Sequence, residues 1–134
     1  MIAVFDTNVL IAAFVSEGVC AKLLRRGRNR QFSLATCPFI LLEFQRTLGR
    51  KFKATGKEIQ EALYLIREAA PIMLQTPGEI PGVCRDREDN HILACAISTN
   101  ADYLVTVDDD LLVLKKFKNV RIIRPRDFEL MFED

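Results

Sequence analysis

Asp6 and Asp108 each lie beside a short, largely apolar run, Ile2-Ala3-Val4-Phe5 in one case and Tyr103-Leu104-Val105-Thr106-Val107 in the other. Apolar runs without alternation read as buried strands of a parallel sheet. Open α/β sheets present their ligands outside the carboxyl ends of such strands. Adjacent strands lie roughly 4.8 Å apart, so on neighbouring strands these two carboxylates crowd each other. Crowded like charges take up a proton or recruit a cation. Two further acids point to the same rim. Asp89 opens a very apolar segment that predicts a helix, and helices of βαβ units begin at the carboxyl edge. Glu43 is embedded in Phe39-Ile40-Leu41-Leu42-Glu43-Phe44. Burying a carboxylate without a partner costs on the order of several kcal/mol, so Glu43 needs one. Each acid alone has a bland account: Asp89 would cap its own helix, and Asp6 the next one. The convergence of four acids from separate segments favours a cation site. An oxygen-only donor set selects hard ions, Mg²⁺ or Mn²⁺. One or two such ions hold a phosphate and activate a water for in-line attack.

The elements that position these acids follow from pattern. After the first strand, residues 8–15 predict a short helix capped by Thr7 or Asn8. Residues 19–28 form an amphipathic helix, with Val19, Cys20, Leu23 and Leu24 against Lys22, Arg25 and Arg26. Residues 32–36 predict a second strand. Pro38 opens a helix to about Leu48, with Gly49 near its end. A third long helix spans 57–70 and stops at Pro71. Residues 76–82 form a Pro/Gly-rich loop. A helix at 90–98, a strand at 103–107, a short helix at 110–116, a strand at 120–123 and a terminal helix at 126–132 complete the chain. The alternation implies a single domain over 1–134, an α/β three-layer α/β/α sandwich with a central, mostly parallel sheet.

Composition narrows the function classes. The chain has 134 residues, 49% hydrophobic and 28% charged, as expected of a soluble globular protein. No apolar run suits a membrane span, and no signal peptide is visible, so a cytoplasmic protein is expected. Cys20, Cys37, Cys84 and Cys95 are far apart and form no zinc-ligand spacing. His91 is the only histidine; it sits at the start of a buried helix and reads as a packing or cap residue. There is no P-loop and no dinucleotide fingerprint. The net charge of +1 hides an asymmetry: residues 19–57 carry ten basic residues and one acid, Glu43. Such segregation suggests a polyanion partner or simply a solvated helix face.

These residues resemble the PIN-domain family, the ribonuclease fold of many prokaryotic toxin–antitoxin toxins. The matching pieces are Phe5-Asp6-Thr7-Asn8-Val9-Leu10, Glu43 in its apolar helix, Asp86-Arg87-Glu88-Asp89-Asn90, and the block from Ala101 to Leu112. The resemblance spans nearly the whole chain, and its late block is the specific part. It implies a Mg²⁺- or Mn²⁺-dependent endoribonuclease with Asp6, Glu43, Asp89 and Asp108 as the catalytic and metal-binding quartet. Asn8 and Thr106 match supporting polar residues, with Asp86 and Asp110 as additional acids. The basic block then gains a role in holding RNA, through Lys22, Arg25, Arg26 and Arg46. The resemblance also implies a small antitoxin partner and a homodimer, for which Phe14, Val15 and Val19 offer an apolar face.

Two rival readings share some of these features. A non-catalytic RNA-binding module would keep the acid rim for one structural divalent ion. A phospho-acceptor receiver-like domain also gathers acids at a parallel sheet's carboxyl edge. It expects paired acids after the first strand and a late Lys, whereas Asp6 is followed by Thr7-Asn8, and Ile122-Ile123 by Arg124-Pro125. DNA cleavage stays open, since nothing in the chain visibly reads a 2′-hydroxyl.

Overall fold

The computed structural model describes residues 1–76 and 78–132. Its centre is a six-stranded sheet in a three-layer α/β/α sandwich. The strands are β1 (Ile2–Phe5), β2 (Ser33–Thr36), β3 (Ile72–Met73), β4 (Tyr103–Val105), β5 (Lys116–Phe117) and β6 (Val120–Ile123). Their spatial order is β3-β2-β1-β4-β6-β5. All pairs are parallel except β5 with β6. β1 therefore lies between β2 and β4, and the chain order reverses between β1 and β4. That reversal is a topological switch point, where the strand ends leave a crevice.

The helices are α1 (Thr7–Val15), α2 (Val19–Arg28), α3 (Pro38–Phe52), α4 (Gly56–Ala69), α5 (Arg87–Ser98), α6 (Asp109–Leu112) and α7 (Pro125–Glu129). Several boundaries differ from expectation for identifiable reasons. Gly49 does not end α3; the helix runs on to Phe52 and closes on Lys53 in the left-handed region, at φ 56°. Asp6, not Thr7 or Asn8, caps α1, its carboxylate accepting from the Thr7 amide. Asp86, not Asp89, caps α5, accepting from the Glu88 amide. β4 ends at Val105, so Asp108 stands three residues past the strand and caps α6. The two-residue strands β3 and β5 carry no legible pattern and lie at the sheet's two edges. The expected 76–82 loop stands, with Pro77 outside the described residues.

One contiguous core fills the space between sheet and helices. It contains an aromatic cluster in which Phe128 meets Phe5, Phe32 and Tyr103 at ring distances of 6.2, 5.1 and 5.7 Å. Among the described residues no single helix is long and apolar enough to cross a membrane. All four cysteines are free thiols.

Candidate active site

A polar cleft of about 230 Å³ opens at the β1/β4 switch point. Its walls include six acids, Asp6, Glu43, Asp86, Glu88, Asp89 and Asp108, together with Thr7, Asn8, Thr47 and Lys51. The structure thus brings together all four expected principal acids, with Asn8 and Asp86. Asp110 adjoins them: one oxygen each from Asp89, Asp108 and Asp110 lie within 4.8 Å of one another.

Local folding places each acid. Asp6 leaves β1 and caps α1; Asp108 caps α6; Asp89 lies in the first turn of α5. The positive ends of these helices face the carboxylates, which offsets part of their mutual repulsion. Thr106, fully buried, ties the two strands' acids together. Its hydroxyl donates to Asp6 Oδ2 at 2.7 Å and accepts from the Asp108 amide at 3.0 Å. Thr7 does the same for α3, donating from Oγ1 to Glu43 Oε1 at 2.8 Å. Asp110 is held at 2.6 Å by the exposed Arg85 guanidinium, and its amide donates to Asp108 Oδ1 at 2.9 Å.

The electrostatics are those of an over-filled anionic pocket. Burial pushes Glu43 up to about 7, helped by a hydrogen bond and charge repulsion from Glu88 and by the Asp6 charge, against the Thr7 hydroxyl. Burial likewise pushes Asp89 up to about 7, helped by its hydrogen bond to Asp108 and by the charges of Asp108, Asp86 and Asp6. Asp6 is raised mainly by burial; its bonds to Thr106 and Thr7 work the other way. Asp89 is only 6% exposed, and its Oδ2 has no hydrogen-bond partner. A buried, unpaired carboxylate oxygen beside other carboxylates is strongly disfavoured unless a proton or cation comes to it.

The expected basic surface is corrected at Arg26. Arg26 is 5% exposed. Its guanidinium grips Glu129 of α7 at 2.6 Å and Gln31 at 2.7 Å and stacks on Phe132 at 4.8 Å, so it staples the core. Lys22 pairs with the same Glu129 at 3.2 Å. Arg25 lines a separate hollow with Arg28, Asn29 and Glu68, where the chain turns into β2. That is the amino edge of the sheet, opposite the cleft. Arg46 is exposed on α3 but is not among the cleft walls. His91 stacks on Phe39 with ring centres 4.6 Å apart.

Glu88, Thr7 and Thr47 join the site without having been expected from the sequence. Lys51 belongs to the basic block, whose charge pattern leaves open on which side it lies, and it lines the cleft. Thr47 and Lys51 follow Glu43 at four-residue steps, so helical period alone places them on its face. Glu88 is obscured because the apolar pattern starts the helix only at Asp89.

A PIN-domain family model matches residues 3–110. The chain belongs to the PIN-domain family, whose members are generally nucleases. Its fold is similar to a chain in the crystal structure of VapBC2 from Rickettsia felis bound to a DNA fragment from their promoter. The two share 20% identity with a TM-score of 0.62, over 92% of this chain and 98% of that one. A comparison with curated protein sequences found no match.

Proposed function

We propose that the protein is a Mg²⁺- or Mn²⁺-dependent endoribonuclease and the toxin of a toxin–antitoxin pair. The observation that carries the metal is the orphaned Asp89 Oδ2 in a pocket whose donors are all oxygens. The residues fit a hard divalent ion: Asp89, Asp108 and Asp110 would hold it on one side, and Asp6, Glu43 and Glu88 line the other. When bound, such an ion supplies Lewis-acid stabilisation of phosphate charge and lowers the pKa of a bound water.

The chain's own residues do the rest. Thr106 and Thr7 fix the rotamers of Asp6 and Glu43, so the acids meet the ion without first reorganising. Without an ion, burial and Glu88 hold Glu43 up at about 7; a cation beside it would favour its carboxylate form, which could then accept a proton as a general base does. RNA as the substrate rests on family membership, and a phosphodiester of either nucleic acid satisfies the same chemistry.

The antitoxin rests on the fold shared with the VapBC2 chain. An apolar hollow of about 330 Å³ supports a protein partner or a second copy. Phe14 and Val15 of α1, Leu48 and Phe52 of α3, and Leu65 of α4 line it. Val15, Val19 and Phe52 are exposed apolar side chains nearby, the kind that mark association surfaces. Light scattering on the isolated chain reports whether it is a dimer.

Cleavage of labelled RNA and DNA oligonucleotides, with Mg²⁺ and Mn²⁺ titrated, tests the reading. Wild type is expected to cut RNA only with metal. Asp6→Asn is expected to lose cleavage yet retain RNA, because one repelling charge is gone. RNA retention without cleavage by nuclease-free wild type in either metal would establish the non-catalytic module instead.

A further inference from the structure

Lys51 is the one cation among the described walls of a cleft that contains six acids. It pairs with none of them: among the described residues no carboxylate lies within 4 Å of its ammonium. A lysine whose task was to neutralise this pocket would collapse onto it, since a flexible stem and several acceptors are at hand. A cation near a helix C-terminus also complements the helix dipole, but Arg50 and Lys53 meet that need in the same turn. Neither of those lines the cleft.

Geometry says what Lys51 is for. Glu43, Thr47 and Lys51 form one ridge of α3, and two helical turns separate the first from the last, a rise of roughly 12 Å. Helical side chains lean toward the N-terminus, so the Lys51 stem leans along the ridge toward Thr47 and the acids. Lys51 is exposed, whereas Asp6 and Asp89 are buried and Glu43 and Asp108 half-buried, so the cation lies outside the deepest acids. Any anion that meets it lies beside the reacting group.

We propose that Lys51 binds the backbone phosphate flanking the scissile one, and so sets the register of a single-stranded nucleic acid across the acidic floor. The proposal rests on the nuclease reading for the name of the substrate. The contact is a positioning one: a phosphate held by a point charge carries no base information.

A short single-stranded RNA oligonucleotide is the probe. In an Asp6→Asn background its retention is measured against salt for Lys51→Gln, Lys51→Arg and, as a matched control of equal charge, Lys53→Gln. Lys51→Gln is expected to reduce the slope of log affinity against log salt by about 0.7, one single-strand phosphate contact. Lys51→Arg is expected to restore it and Lys53→Gln to leave it unchanged. In the active background Lys51→Gln is expected to raise KM several-fold with kcat nearly constant. Equal loss in the two glutamine variants, or no loss in either, would overturn the proposal. The retention arm needs no turnover. Slope loss confined to Lys51→Gln in a protein that never cleaves would sink the nuclease reading and leave this contact standing.

Discussion

The Thr106 hydroxyl serves two acids at once, donating to Asp6 Oδ2 and accepting from the Asp108 amide. Valine at this position keeps the shape and strips the polar atom. It leaves the part-buried Asp108 amide and the buried Asp6 carboxylate oxygen each short of one bond, at about 1–3 kcal/mol for a buried orphaned group. Thr106→Val is therefore expected to lower unfolding stability by about 2 kcal/mol in urea titrations, with Thr106→Ser close to wild type. A valine variant as stable as wild type would show that the hydroxyl does not link the strands. Single acids of this site are legible in the sequence because a carboxylate set beside an apolar run must find a partner or an ion there. Their supports are not. Thr106 enters only through the family resemblance, and Thr7 reads as a helix cap until the fold sets it against Glu43. Arg26 misleads for the opposite reason. A basic residue on an amphipathic helix reads as solvent-facing, and only the arrival of Glu129, 103 residues away, shows it to be a core staple.

Two helical glycines separate what the chain tolerates from what its packing requires. In α3, a methyl at Gly49 would meet only Ile59 Cδ1, at 3.5 Å, an ordinary contact. Glycine inside a helix costs about 0.5–1 kcal/mol relative to alanine. In α2, a methyl at Gly27 would stand 3.2 Å from Phe32 Cζ and 3.7 Å from Leu34 Cβ, against the sheet. Gly49→Ala is expected to raise the melting temperature and Gly27→Ala to lower it, measured by thermal unfolding. Stabilisation by both would mean that α2 can lift off β2 without cost. These positions also show what pattern can and cannot supply. The long periodic helices and the strands β1, β2, β4 and β6 are readable because burial imposes their spacing. Gly49 looks like a stop, but its neighbours Arg50 and Lys51 continue the helix, so the turn waits for Lys53. The edge strands β3 and β5 exist only through pairing with β2 and β6. No local period could announce them.

The whole molecule couples charge, protons and metal, and the sign of that coupling is fixed. Glu43 and Asp89 are held up to about 7 by burial and by neighbouring acids. Unfolded, both return to the ordinary carboxylate value of about 4. Between these values the native chain binds more protons than the unfolded chain, so stability falls as pH rises through that window and levels off above it. Glu129 behaves oppositely: Arg26 and Lys22 hold it below its ordinary value. Its contribution is complete above the unfolded value and is lost as pH falls through the depressed one. Metal-free protein should therefore be most stable at mildly acidic pH, squeezed from one side by Glu129 and from the other by the cleft. A divalent ion reverses the cleft's part. It binds the deprotonated acids, so its stabilisation grows with pH, reaching about 2.7 kcal/mol at a hundredfold excess over Kd. Melting temperatures in EDTA are expected to decline from about pH 5 to about pH 8, and those in Mn²⁺ to hold or rise, so the two curves diverge. Glu43→Gln and Asp108→Asn each remove one of the crowded charges. Both are expected to melt higher than wild type in EDTA at the upper end of that range, and to gain less from Mn²⁺. Parallel curves with and without metal, or variants that gain as much as wild type, would mean that the acids share no ion. The repulsion would then have to be quenched by protons alone.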